Sequence, residues 1–456
     1  MIINGNSMRR EIRMKKFTIL ALAALLVIAM TIPAAALENI FGGYFRTRAF
    51  MDKNFTGEDE TEASDVNRID TRTRLFYTAK FSDNLKFVNA FEMNAVWGGS
   101  GTYGQMGADG DNLVVKHSYV DFKLAEHRFV LGVQDFLLAR GYLYGDDGAG
   151  LKAIFKVSDA IYIPYIYIKS YEGGYGKDAD DFDVDAHVLY PTIYLSKETT
   201  LKPHVAYLTS DDYSKATTKG KLFNKFPGAT ELDAYTVGLE FDMKQGVFAF
   251  GATGIYEFGD LTVPAAAYGH DKLELGGYLF DIYGAMAMGP ANFRAKAIYA
   301  SGNDETSIKD GNIDAFFNPG TAFTGASYYW AEIMGYGIFD ATGLSTADDP
   351  AGGLNDKISN RIIGNLGVDY KILPSLKTSL DLYYAMTAED VKLVDGTYGD
   401  TLGLELDLVV TYKVVDNLNL DLVAAYLWAD DVVNKAVSAN NSADPYELGA
   451  RLSLAF

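Results

Sequence analysis

The last eleven residues, Tyr446-Glu-Leu-Gly-Ala-Arg-Leu-Ser-Leu-Ala-Phe456, decide how the rest of the chain is read. Tyr446, Leu448, Ala450, Leu452, Leu454 and Phe456 share one face of an extended strand, while Glu447, Gly449, Arg451, Ser453 and Ala455 share the other. A segment of about ten residues, greasy on one side and polar on the other, has the length and alternation of a bilayer-crossing β-segment. Soluble sandwiches also alternate, so one strand decides little. The test is whether the pattern recurs.

It recurs along the whole chain. Strands are expected at approximately 40–51, 68–81, 86–97, 114–124, 127–137, 150–157, 160–170, 184–195, 201–210, 232–243, 247–258, 272–287, 292–301, 359–371, 376–387, 400–413, 417–428 and 445–456. That makes eighteen, with sixteen as the alternative because 160–170 and 184–210 alternate poorly. Short connections such as Ser82-Asp-Asn-Leu85, Ser158-Asp159, Gly289-Pro-Ala-Asn292, Leu373-Pro-Ser375 and Val415-Asp-Asn417 take turns with long polar ones at 52–67, 98–113, 211–231, 302–358, 388–399 and 429–444. Short turns on one rim and long loops on the other describe an all-β, antiparallel transmembrane barrel. Strand 400–413 shows the two faces: Leu402, Leu404, Leu406, Leu408, Val410 and Tyr412 outward, Glu405, Asp407, Thr411 and Lys413 inward. Inward charge on successive strands predicts a wet lumen, since a packed interior does not bury unpaired charge. Phe81, Tyr370, Tyr412 and Phe456 at the turn rim, and Trp97, Tyr299 and Trp428 at the loop rim, fit two interfacial girdles.

The first residues read as an export leader. Arg9, Arg10, Arg13, Lys15 and Lys16 precede an apolar run from Phe17 to Met30, and Ala34-Ala35-Ala36 supplies a cleavage site. Residues 1–36 are therefore expected to be an N-terminal extension plus a cleaved signal peptide, with 37–456 as the barrel. Met14-Lys-Lys is an alternative start. Removing five basic residues and Glu11 deepens the formal net charge from −20 to −24, which argues against nucleic acid as a partner. The absence of cysteine excludes thiol chemistry, Cys-ligated metals and disulfides.

Inward-facing positions carry a basic patch. Arg46 and Arg48 share a face of the first strand with Tyr44, and Arg68, Arg72 and Arg74 share a face of the second with Asp70. Arg128, Lys152 and Lys156 add charge on the fifth and sixth strands. These side chains either pair with lumen carboxylates as scaffolding or form a cationic ladder for anions and polar solutes.

The terminal strand ending on Phe456 resembles that of Gram-negative outer-membrane barrels, where it is the assembly signal. A more specific resemblance lies in Lys116-His-Ser-Tyr-Val-Asp-Phe122, Leu131-Gly-Val-Gln-Asp135 and the loop Leu137-Leu-Ala-Arg-Gly-Tyr-Leu-Tyr-Gly-Asp-Asp-Gly-Ala-Gly150. This resembles the Gram-negative porin pattern, with Val133 where that family has Arg; there is also some similarity to the alginate-export barrels. The resemblance implies that the third external loop folds into the pore. Arg140, Tyr142, Tyr144, Asp146 and Asp147 would then form a constriction, with the two aspartates facing the basic wall. Confined charge of this kind acts more strongly than in bulk. Read without the resemblance, Asp146-Asp147-Gly148 is simply a tight turn.

The stretch 302–358 is too long for an ordinary connection. Its apolar centre, Tyr328 to Phe339, is expected to cap or enter the mouth as a hairpin or short helix, or to be a missed strand pair. Gly99-Ser-Gly-Thr-Tyr-Gly104 has no helix after it and is dismissed as a dinucleotide motif. The five histidines show no ligand spacing, and no serine-nucleophile elbow is present, so no enzyme and no metal site is expected. No cofactor is expected beyond calcium or magnesium on acidic loops such as 58–62.

The expectation is an outer-membrane channel passing small hydrophilic, anionic or polar solutes by passive diffusion. Alternatives are a substrate-specific channel or exporter for phosphate or an anionic saccharide, and less readily an adhesive barrel or outer-membrane enzyme. Outer-membrane lipid, lipopolysaccharide, the barrel-assembly machinery acting through Phe456, and two further copies in a homotrimer are the expected partners.

Overall fold

The computed structural model describes residues 37–56, 65–100, 104–106, 113–173, 182–212, 226–319, 330–339, 344, 346–347 and 358–456. The expected leader, the acidic stretch 58–62 and Tyr328-Tyr329 lie outside these residues. Eighteen strands form one closed antiparallel barrel. They are β1 (Glu38–Lys53), β2 (Val66–Ser82), β3 (Leu85–Val96), β4 (Leu113–Leu124), β5 (His127–Leu138) and β6 (Tyr144–Lys156). Next come β7 (Ile161–Tyr171), β8 (Val184–Leu189 and Thr192–Tyr194), β9 (Thr199–Ser210), β10 (Leu232–Gln245), β11 (Phe248–Thr262) and β12 (Lys272–Leu275 and Tyr278–Met288). The last six are β13 (Ala291–Ala300), β14 (Arg361–Leu373), β15 (Leu376–Lys392), β16 (Tyr398–Val415), β17 (Leu418–Ala429) and β18 (Tyr446–Ala455).

Closure is made by the segment that opened the sequence reading. β18 pairs antiparallel with β1 from Tyr44↔Ala455 to Lys53↔Tyr446, and the seam is sealed by Gly43 N–H donating to Phe456 O at 2.7 Å. No edge remains to expose unpaired backbone groups in hydrocarbon. Outward side chains such as Leu366, Leu380, Leu404, Leu422 and Leu448 are exposed, giving a greasy belt that water would not tolerate on this scale. Phe81, Tyr370, Tyr412, Phe456, Trp97 and Trp428 are exposed at its rims, whereas Tyr299 is half-buried and stacked on Tyr278.

Several expectations need correcting. β15 runs to Lys392 and β16 starts at Tyr398, so the loop expected at 388–399 is mostly strand. The expected strand 184–195 is broken at Tyr190-Pro191, where proline cannot donate to the ladder. The described part of 302–358 contributes no strand pair to the barrel; only Asn312–Ile313 is extended, running parallel to the start of β12.

The larger correction concerns the interior. One buried apolar cluster joins Phe136, Leu138, Tyr142 and Leu143 to Ile166 and Ile168 of β7 and Ala186 and Val188 of β8. It extends to Leu208, Ala234, Ile255 and Leu279 of the following strands, to Phe316 and Phe317, and to Ile333 and Met334. The lumen is therefore partly packed, not wet throughout. β7 alternates poorly because both its faces are apolar, with Ile166 and Ile168 against this cluster. β8 reads inverted because its buried residues are the apolar Ala186 and Val188 while Asp185 and His187 lie on its other face.

Two glycines permit that packing. β5 leaves β4 after Val133↔Ser118, and β6 joins β7 only from Ala149↔Lys169, so the hairpin 134–148 pairs with itself alone. At its root Gly132 (φ +131°) faces Gly150 across the pair; a Cβ would lie 2.3 Å from Ser118 O at the first and 2.0 Å from Tyr167 O at the second. Replacing Gly132 by Val should cost roughly 1–3 kcal/mol through overpacking alone, with positive φ adding to it. The expected readout is a lower unfolding temperature of the barrel on unboiled gels, while Leu131→Val, one residue away on the outward face, leaves that temperature unchanged.

Candidate functional site

The inner faces of β18, β1 and β2 carry six arginines in register. Arg46 stands opposite Arg72, Tyr44 opposite Arg74, Arg48 opposite both Asp70 and Arg451, and Phe50 opposite Arg68. Most are neutralised locally. Arg48 holds Asp70 through two hydrogen bonds of 2.7 Å, and Arg68 lies 3.4 Å from the same carboxylate. Arg74 donates to Glu92 at 2.5 Å, Arg72 donates to Asn94 at 2.5 Å, and Arg451 pairs with Asp421 at 2.8 Å. Arg46 is different. Its residue is only 8% exposed, and among the described residues no side chain hydrogen-bonds or ion-pairs with it. A desolvated, unpaired guanidinium is costly, and an anion would relieve that cost.

The other side of this space is the hairpin 134–148. It projects inward from the root at Gly132 and Gly150, and its tip bonds to the far wall. Ala139 N–H donates to Tyr190 Oη at 2.8 Å, and Tyr142 Oη donates to Asp281 Oδ2 at 2.8 Å. Asn318 Nδ2 donates to Gly141 O at 2.5 Å. Arg140 makes the main anchor: it donates to Thr253 Oγ1 at 2.6 Å, to Asp242 Oδ1 at 3.1 Å and to Phe241 O at 3.0 Å, and lies 5.0 Å over the Tyr283 ring. Ala139 and Arg140 both hold positive φ, 50° and 57°, a conformation non-glycine residues adopt only where surroundings enforce it.

The hairpin's near side meets the arginines. A cavity of about 770 Å³ is lined by Arg46, Arg72, Arg74 and Arg451 of the β18–β1–β2 wall, by Lys116 of β4, and by Asp135, Asp146 and Asp147 of the hairpin. Asp147 is held by Lys116 at 2.5 Å and His117 at 2.6 Å. Tyr44, Phe136, Leu137 and Ile338 supply apolar lining.

The structure brings together some of the sequence-stated residues and separates others. Arg46, Arg72, Arg74, Asp146 and Asp147 share the cavity, while Arg48 and Arg68 sit beside it around Asp70. Tyr144, Asp146 and Asp147 belong to β6 itself, because the connection after β5 is only residues 139–143; neither a long loop nor a tight turn exists there. Tyr144 is buried and bonds to Ser170 Oγ at 3.2 Å. Arg128 pairs with Asp121 at 2.7 Å, Lys152 lies over Phe136 and donates to Asp135 O, and Lys156 pairs with Asp159 and Glu126 at the turn rim. These three do not line the cavity. Lys116, Asp135 and Arg451 were missed, although Arg451 is on the polar face of the terminal strand and needed only closure onto β1 to be placed. Among the described residues no group of three or more His, Asp or Glu side chains is arranged to hold a metal ion.

No protein-family model matches the chain, and no curated protein does either. Solved structures do. OccAB4 of Acinetobacter baumannii aligns with TM-score 0.54 and 11% identity over 93% of this chain and 100% of its own. The outer membrane protein opdK of Pseudomonas aeruginosa gives 0.54 and 11% over 92% and 98%, and a BenF-like porin of Pseudomonas fluorescens Pf-5 gives 0.53 and 12% over 92% and 98%. At such identities the likeness is one of fold: this chain is built as the eighteen-stranded outer-membrane porins are.

Proposed function

We propose that the chain is an outer-membrane channel through which small hydrophilic solutes, anionic ones above all, diffuse passively. The observation that carries this reading is Arg46, buried and, among the described residues, without a hydrogen-bonded or ion-paired side chain, in a cavity that also holds Asp135, Asp146 and Asp147. An anion entering there meets a guanidinium that no carboxylate touches, while the aspartates orient its dipole. No covalent step is involved; selection rests on width and fixed charge. The greasy outer belt and the closed barrel support placement in lipid. Lipopolysaccharide contact, assembly through Phe456 and a homotrimer belong to the same reading.

The inward hairpin favours a narrow, solute-specific passage over a wide general pore. One of the similar structures, that of OpdK, contains vanillate, an aromatic carboxylate. Such a solute suits a cavity with both arginines and apolar lining, more than an anionic polymer does. Phosphate remains the second reading, carried by the density of guanidinium groups on β1, β2 and β18.

Two measurements test this. In planar bilayers, Arg46→Gln together with Arg72→Gln should shift the reversal potential toward cations and abolish block by aromatic carboxylates. An unchanged reversal potential would show that this wall does not line the path. Arg140→Ala removes charge-assisted hydrogen bonds worth about 1.5–3 kcal/mol each, so the hairpin tip should loosen and single-channel conductance should rise. Equal conductance would mean the tip does not limit the passage.

A further inference from the structure

Residues 330–339 lie in the lumen, seated on the inner faces of β15, β16, β18 and β1. Two aromatic contacts hold the segment: Phe339 stacks on Phe50 with centroids 5.0 Å apart, and Trp330 meets Tyr383 edge-on at 5.8 Å. Apolar contacts of Ile333, Met334 and Phe339 complete its packing, while its backbone N–H groups seat on carboxylates. Glu332 N–H donates to Asp407 Oδ2 at 3.1 Å, and Ile333 and Met334 N–H donate to the two oxygens of Glu405 at 2.6 and 2.8 Å. Glu332 folds back to accept from Ile338 N–H at 2.7 Å.

These groups lie in a pocket of like charge. Glu405 is fully buried, Asp407 is 4% exposed, and Asp52 and Glu447 are direct cross-strand partners at 1% and 2%. Among the described residues none of Glu332, Glu405, Asp407 and Glu447 is ion-paired. The facing charges are Asp381 on β15, already held by Arg294 at 2.8 Å, and Arg451 on β18, already held by Asp421. Arg48 on β1 is engaged by Asp70, and Tyr383 on β15 is the remaining titratable neighbour. So many desolvated carboxylates cannot all be ionised together.

We propose that segment 330–339 is a pH-sensitive plug, seated while this carboxylate set shares protons and released when the protons are withdrawn. When the segment lifts, Glu332 returns to water and ionises in its ordinary range; when it seats, Glu332 is buried beside Asp407 and holds its proton more tightly. Seating therefore takes up protons. It is favoured at low pH and lost as pH rises through the seated range. Burial, then the neighbouring Asp407, pushes the Glu332 carboxyl up to about 7, which sets release at neutral to mildly alkaline pH. Each proton exchanged changes the seated-to-released ratio by at most about tenfold per pH unit. Gly337 and Ile338 line the arginine cavity, so release widens the solute path.

This inference rests on the channel reading for its consequence but not for its motion, and the two can be measured apart. The chain has no cysteine, so Ile338→Cys can carry a unique spin label in the full protein. The label should be immobile at pH 5 and mobile at pH 9, and single-channel conductance should rise over the same interval. Asp407→Asn with Glu447→Gln keeps the oxygen that accepts from Glu332 N–H and removes two charges from the seat, so it should hold the label immobile to pH 9. A wild-type label immobile across the whole range, or a double variant releasing at the wild-type pH, would overturn the plug. A label that mobilises normally beside a protein that never conducts would overturn the channel reading and leave the plug intact.

Discussion

A sheet immersed in hydrocarbon has nowhere to end. Every backbone N–H and C=O in the apolar slab must be paired, and an open edge would leave a full row unpaired at several kcal/mol per group. The pairing of β1 with β18 is thus the condition on which the rest depends. It fixes which side chains face inward on every strand, and it sets Arg451 beside Arg48 although some four hundred residues separate them in sequence. The tight approach of Gly43 to Phe456 and to Arg74 O, where a Cβ would lie 2.3 and 2.7 Å away, belongs to that same seam.

Closure creates an interior, and an interior with charge must be balanced. Across most of the wall each inward cation meets a carboxylate on the next strand: Arg48 with Asp70, Arg74 with Glu92, Arg128 with Asp121, Arg294 with Asp369 and Arg451 with Asp421. Such pairs hold side chains in place more than they stabilise the fold, since desolvation offsets much of the attraction. Among the described residues two places stand out. Arg46 has no carboxylate paired with it, and Glu332, Glu405, Asp407 and Glu447 at the seat of segment 330–339 have no cation paired with them. The first calls for an anion and the second for protons, so both respond to the solution that fills the lumen.

Strand number and inner arginines were legible because a transmembrane strand advertises itself through strict alternation. Arg46, Arg72 and Arg74 follow from parity alone. The same rule misled where the interior is packed: β7 is apolar on both faces and β8 turns its apolar face inward, so Ile166, Ile168, Ala186 and Val188 read as broken alternation when they are the floor of a core. Asp146 and Asp147 were expected in a constriction only through resemblance, and the reason they share a cavity with the arginines lies elsewhere. The Gly132–Gly150 pair releases a hairpin from the wall, and Arg140 anchors its tip to β10 and β11.

Sequence by itself determined the closed barrel, its eighteen strands, the greasy exterior and the charged side of each strand, because these follow from local period and turn chemistry. Tertiary structure alone decided which inward charges find partners, where the hairpin and segment 330–339 come to rest, and how much of the lumen stays open. Those outcomes depend on contacts between residues that no local pattern relates: Arg140 with Asp242, Met334 with Glu405, Phe339 with Phe50. The physical reason is that alternation encodes a direction, inward or outward, whereas a site needs a distance across the barrel, and only closure supplies it.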